Sequence, residues 1–334
     1  MLHIHNGDST AGTARKTTVP GEHLAWREAL VCGPTPAGLH DDEFRRVRAV
    51  HLTGAYGADI EKCEKELREQ EETLARFSDH EEVVFWFEHD LFCQVQLIYL
   101  LNWFAQRELA KTKLSLICIG EFPGIEDFRG LGQLNEAQLI SLFPERREIT
   151  KAQLDLGSRA WTAYSSSNPM EIVDLILGNT AALPFLGIAL AKHLQRFPSV
   201  RNGLGRVENV GLELVVDGQH EFKSLFPAFG KREPEYGFGD AQVFLELKRL
   251  ANPAKPVITM SNGASAKNSG QVLNTSFQIT EYGRAVLRGE DDFVHTNGID
   301  LWLGGVHLEG DEAAWRWDEV AQTLVRDSNA SFTG

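Results

Sequence analysis

Short apolar runs bounded by glycine or polar residues alternate with amphipathic segments over the first 120 or so residues. Legible helix caps follow from residue 134, and near the end three helical patterns precede a strand, a loop and a strand. Together they predict an α/β fold: a Rossmann-like, mostly parallel sheet in an N-terminal domain (1–130), a helical connector (131–200), and a C-terminal α+β winged-helix-like domain (201–334).

The strand candidates are residues 2–5, 23–29, 83–87 and 114–119, each short and apolar, as strands covered on both faces are. Between the second and third, Ile60, Leu67 and Leu74 recur every seven residues among Glu, Lys and Arg, which reads as one apolar stripe on a solvated helix. Residues 91–104 are apolar on nearly all sides, so that helix belongs between the sheet and another layer. Cys93, Gln94, Gln96 and Asn102 interrupt it, and it falls short of a membrane span.

Asn135 with Gln138 and Thr150 with Gln153 have capping-box spacing, and Asn168-Pro169-Met-Glu171 combines an N-cap with a first-turn proline. An apolar helix follows over 183–197. The last third reads as helices around 207–215, 222–229 and 240–250. Strands near 257–260 and Phe277 then flank a polar loop, and a short helix runs from Thr280 to Gly289.

At 334 residues the chain exceeds the usual size of a single core, and 43% hydrophobic with 24% charged residues is ordinary for a soluble globular protein. Strand-like sequence begins at once, with no signal-peptide pattern. Cys32, Cys63, Cys93 and Cys118 form no CxxC pair and read as free thiols in a reducing compartment, so a cytoplasmic location is expected. The net charge of −14, with 13 Lys+Arg against 19 Asp+Glu in 201–334, opposes nucleic-acid binding. No membrane partner is expected, whereas a protein partner or a homo-oligomer is compatible with the composition.

In an open α/β sheet ligands bind at the carboxyl ends of the strands. There the first strand delivers Asn6, Gly7, Asp8 and Ser9, the second Arg27 and Glu28, the third Glu88, His89 and Asp90, and the fourth Gly120 and Glu121. Asp8, Glu28, His89 and Asp90 are the acid–base candidates, and Asn6, Ser9, Arg27, Gln94 and Glu121 the ligand-binding ones. The expected activity is binding of a small polar ligand, or a hydrolytic or transfer reaction. Each residue also has a plain structural reading: Asp8, Ser9 or Asp90 as helix caps, Arg27 with Glu28 as an ion pair, and His89 as a satisfied polar side chain.

The runs Leu2-His-Ile-His-Asn-Gly-Asp-Ser9, Trp26-Arg-Glu-Ala-Leu30 with Gly33-Pro34, and Phe85-Trp-Phe-Glu-His-Asp-Leu91 with Gln94 resemble an uncharacterised bacterial family, the domain of unknown function 1835. The resemblance continues through Arg129-Gly-Leu-Gly-Gln133, Leu183-Pro-Phe-Leu186, Asn202-Gly-Leu204 and Trp302-Leu-Gly-Gly-Val-His-Leu308. The family name implies no activity. Cys93 departs from its pattern, which carries a more polar residue, often Asp, in this stretch.

Asn6-Gly-Asp-Ser9 also resembles the Gly-Asp-Ser block of the SGNH esterases, which would make Ser9 a nucleophile. Asp217-Gly-Gln-His220 has the Asp-x-x-His spacing, but the Gly-x-Asn-Asp block is missing. His3, His5, His89, Asp8 and Asp90 are metal-capable residue types without a recognised ligand spacing, so no metal site is expected. Neither GxGxxG nor a Walker lysine motif occurs, and no cofactor is identified. The alternative function is a regulatory or scaffolding protein whose C-terminal domain contacts a protein or nucleic acid, with Lys248, Arg249 and Lys267 as the phosphate-contact candidates.

Overall fold

The computed structural model describes residues 1–57, 59–261, 272–311 and 313–326. Strands β1 (Leu2–His5) and β2 (Glu22–Ala25) pair in parallel, while the two-residue β3 (Gly33–Pro34) lies outside their sheet. β4 (Glu82–Glu88), β5 (Lys113–Ile119) and β6 (Arg147–Glu148) complete a five-stranded sheet of order β2-β1-β4-β5-β6. Its first four members are parallel and β6 is antiparallel. Strand β2 ends earlier than its sequence pattern implies, because after Trp26 the chain turns and Glu28 points into the interior toward Arg48.

Helices α1 (Asp8–Ala14), α2 (Asp41–Tyr56) and α3 (Ile60–Ala75) precede α4 (Leu91–Ala105), whose buried residues lie on every side. It packs against α6 and α8 of the series α5 (Glu136–Leu142), α6 (Lys151–Ser165), α7 (Met170–Leu177) and α8 (Leu186–Leu194). The two capping boxes form as the spacing predicts: Asn135 accepts from the Gln138 amide and Thr150 from the Gln153 amide. Helix α8 starts at Leu186 because Thr180 to Leu183 close a hydrogen-bonded turn ahead of it.

Three further helices, α9 (Arg206–Val216), α10 (Phe222–Arg232) and α11 (Asp240–Ala251), lead into an antiparallel hairpin of β7 (Ile258–Ser261) and β8 (Ser276–Ile279). After α12 (Glu281–Arg288) and α13 (Phe293–Asn297) come β9 (Ile299–Gly304) with β10 (Val306–Gly310), and β11 (Trp315–Asp318) with β12 (Thr323–Arg326), each pair antiparallel. The whole is a mixed α/β structure, a mostly parallel sheet accompanied by small sheets. β9 also pairs in parallel with β3, so the end of the chain returns to its beginning. Gly304, at φ +65°, and Gly305 let this turn press on α6, where a Cβ at Gly305 would fall on the Ser165 carbonyl oxygen. A single apolar cluster accordingly joins Leu2, Leu190, Leu247 and Leu303.

Every residue of α11 is buried or half-buried. Gln242 donates to the Tyr56 hydroxyl, and Arg249 is held by the buried carboxylate of Glu208. Arg249 is therefore spent inside the fold and is not presented to a phosphate. Lys267 lies outside the described residues.

On one face of the sheet, His3 and His5 of β1 meet His23 and Trp86. His3 stacks on His23 with ring centroids 4.6 Å apart, and His5 on Trp86 at 5.5 Å. The Trp86 indole donates to His3 Nδ1 at 3.0 Å, which leaves the His3 proton on Nε2, facing the Pro20 carbonyl at 3.1 Å. Burial pushes the pKa of His3 down to about 4 and that of His5 down to about 2, so both are neutral in the fold.

An unfolded chain takes up these protons near pH 6.5, so the histidine contribution to stability is complete above that pH and is lost as the pH falls, toward 4 for His3 and toward 2 for His5. Denaturation midpoints measured from pH 7.5 to 4 are expected to fall, with a shallower slope in His3→Gln. Equal slopes in the two proteins would contradict this assignment.

Candidate functional site

The chain steps from β1 outward to β2, and the strand on the other side of β1 is β4, so the strand order reverses between β1 and β4. A crevice opens outside the carboxyl ends at such a reversal. Asn6 and Gly7 leave β1 there, and Glu88, His89 and Asp90 leave β4.

Glu88 is the last residue of a strand buried on both faces, and it is only 5% exposed. Its Oε1 accepts from the Leu131 amide at 2.7 Å, and its Oε2 accepts from the Cys93 thiol. The Asn6 amide group donates to the same sulfur, and Asn6 Oδ1 accepts from Gln96 at 2.8 Å. Gln94 donates to the Glu88 carbonyl at 2.7 Å. One continuous network thus ties the end of β1, the end of β4 and the first turn of α4.

Asp90 is the N-cap of α4, its Oδ1 accepting from the Cys93 amide at 2.8 Å. The αL glycine Gly237 seals it from the far side, since a Cβ there would overlap the Asp90 carboxylate. Gly130 is close-fitting in the same way over Glu88, so residues 130–131 form a backbone cover on that carboxyl. His89 is half-buried, its ring edge-on to Phe185 at 6.0 Å and its Nδ1 without a hydrogen-bond partner among the described residues.

Burial, reinforced by the charge of Asp90, pushes the Glu88 pKa up to about 7. Burial also raises Asp90, and it raises the Cys93 thiol well above its ordinary value. Glu88 therefore holds a proton into the neutral range, whereas Cys93 is a thiol and no nucleophile. One ligand atom each from Glu88, Asp90 and Cys93 lies within 4.8 Å of the others, so the group has the donors for a metal ion. As arranged, Glu88 and the Cys93 sulfur are committed to each other and Asp90 Oδ1 to the α4 amide.

The residues expected from sequence divide into three groups. Asn6, Asp90 and Gln94 join the buried network, and His89 borders it. Asp8 and Arg27 form a separate exposed pair, bidentate at 2.8 Å, and this hydrogen bond holds the Asp8 carboxyl below its usual range. Asp8 does not cap α1, whose N-cap is Gly7. Ser9 and Glu121 are exposed. Among the described residues Ser9 makes no side-chain hydrogen bond with a histidine or a carboxylate, and Asp217 of the esterase-like spacing faces Arg232.

Glu28 leaves the rim altogether. Its Oε1 accepts from Arg48 at 2.8 Å and from the Ala29 amide, while Arg48 also donates to the carbonyls of Ala29, Cys32 and Pro34. This is a buried brace between α2 and the segment after β2. The residues missing from the expected set are Glu88 as the central acid and Cys93 as its partner. Their signals are a Glu closing an otherwise apolar strand, and a cysteine three positions after an N-cap, where α4 turns back over that strand end.

No protein-family model matches the chain, and no curated protein matches it.

Asn caps a helix about as well as Asp, whereas Ala costs about 1 kcal/mol. Asp90→Ala is expected to lose about 1 kcal/mol or more in denaturant unfolding and Asp90→Asn only a few tenths. Equal losses would show that the cap is not what Asp90 contributes to stability.

Proposed function

We propose that the crevice between β1 and β4 binds a small polar ligand, with Glu88 as the group that gives or takes a proton in a hydrolytic or transfer reaction. The observation that carries this reading is a buried carboxyl group at the strand-order reversal with Asp90 beside it and no cation paired with it among the described residues, a setting that pushes its pKa up to about 7, where an acid–base group works best. Asp90 keeps that proton on Glu88 by its proximity, Asn6 fixes the Cys93 sulfur against the carboxyl, and His89 lends its unpartnered Nδ1 to the ligand. The parallel order around β1 supports a Rossmann-like assignment for this part of the chain.

The resemblance to the domain of unknown function 1835 supports the same location. The runs that carry it, around Asn6, around Glu88 and through residues 129–133, are those that meet at Glu88. Four free cysteines support a reducing, cytoplasmic setting, and no helix among the described residues is long and apolar enough to cross a membrane.

A second reading rests on the three helices and hairpin of α9 to β8, an arrangement that supports a winged-helix-like unit in a regulatory or scaffolding role. The covered face of α11 favours protein contact over nucleic acid, since a recognition helix must be free to enter a groove.

A thermal-shift screen against a metabolite library tests the first reading, each variant being compared with its own ligand-free melting temperature. A ligand at about 100 times its Kd stabilises the form it binds by about 2.7 kcal/mol. A hit that stabilises the wild type is expected to lose most of its effect in Glu88→Gln and in Asn6→Ala. Hits that act equally on all three proteins would place the ligand elsewhere.

A further inference from the structure

Away from the sheet edge, a cavity of about 710 Å³ opens between α2, α3 and the end of α4. It shares Asp41, Tyr99, Trp103 and Arg107 with an adjoining cavity of about 280 Å³. The two form one trough with an aromatic floor. Phe44 stacks on Tyr99 at 5.9 Å, Trp161 stands edge-on to Tyr99 at 5.0 Å, and the Arg107 guanidinium lies 3.4 Å above the Trp103 ring.

The walls carry charge of both signs. Arg45 is already neutralised, held between Asp42 at 2.8 Å and Glu71, and Arg107 stands 4.0 Å from Asp41. Four other lining side chains have no ion pair or hydrogen bond among the described residues: Arg46 on α2, and Glu64, Arg68 and Glu72 on α3. The lining charges left without a protein partner among the described residues are therefore two guanidiniums and two carboxylates.

A ligand of one sign would meet two like charges in this trough, and like-charge juxtaposition is strongly disfavoured. A ligand bearing both signs meets two partners of each. The Arg107 guanidinium, part-exposed and seated on Trp103, adds a flat surface on which an aromatic ring can stack. The main cavity lies well inside the range of about 300–1,000 Å³ that holds a drug-sized ligand, so a single amino acid would leave it largely empty. A tripeptide, extended over about 10 Å, is of suitable length.

We propose that the trough between α2, α3 and α4 binds a short peptide segment carrying one acidic and one basic side chain around an aromatic residue. The aromatic ring stacks on the outer face of the Arg107 guanidinium, which is itself seated on Trp103. The acidic side chain pairs with Arg46 or Arg68, and the basic one with Glu64 or Glu72. The site is independent of Glu88, and it stands or falls apart from the reading of the crevice.

Isothermal titration calorimetry with three tripeptides, each acetylated and amidated so that only side chains are charged, tests this: Lys-Phe-Glu, Lys-Phe-Lys and Glu-Phe-Glu. The wild type is expected to bind Lys-Phe-Glu at least about ten-fold more tightly than either control, more weakly as salt is raised. Arg68→Glu should shift the preference to Lys-Phe-Lys, and Glu72→Arg to Glu-Phe-Glu. Both positions are exposed on α3, and circular dichroism establishes that each variant folds. Equal affinity for the three peptides, no binding of any at millimolar concentration, or a preference unmoved by both charge reversals would overturn the proposal.

Discussion

The parallel pairing of β1 with β2 on one side and β4 on the other is the constraint from which the rest follows. It sets His5 opposite both Ala25 and Trp86, so β1 and β2 end level with each other, β4 runs on to Glu88, and the residues after them share a rim. Because side chains alternate along a strand, a one-residue slip of β4 would carry Glu88 to the other side of the sheet and break its contacts with Asn6, Cys93 and Leu131. Burial fixes that register, since β1 is buried throughout and β4 is buried from Val83 to Glu88.

Buried charge is handled in two ways in this molecule. Where a carboxylate serves as a brace it meets a cation: Glu28 meets Arg48, Glu233 meets Lys192 and Arg206, and Glu208 meets Arg249. Glu88 and Asp90 are bound instead to amides and a thiol, and no cation pairs with either among the described residues. Burial without a counter-charge raises both carboxyls, and the charge of Asp90 leaves the proton to Glu88, at a cost to stability once the pH is high enough to remove it. Such an arrangement is a poor brace and a good proton reservoir. The later part of the chain maintains it, because Gly237 closes on Asp90.

Much of this was legible in the sequence. Apolar runs located β1, β4 and β5 to within a residue, and the boxes Asn135 with Gln138 and Thr150 with Gln153 located α5 and α6, because these signals are local. The end of β2 was not legible, since it depends on Glu28 finding Arg48 twenty residues further on. Nor was the two-residue β6, which exists only as an edge on β5. At the site, the strand ends pointed to Asn6, His89, Asp90 and Gln94. Only the meeting of separate elements shows that Asp8 and Arg27 satisfy each other at the surface and that Glu88 sits at the centre.

On this account Glu88 is a buried acid that loses its proton near neutral pH rather than in the ordinary carboxylate range. The direct measurement is a pH titration of its side-chain carboxyl by ¹³C NMR on glutamate-labelled protein, assigned by the signal absent from Glu88→Gln. The structure predicts a midpoint near pH 7, moving downward in Asp90→Asn as the neighbouring charge is removed. A midpoint in the ordinary glutamate range near 4.5, unchanged in Asp90→Asn, would contradict it.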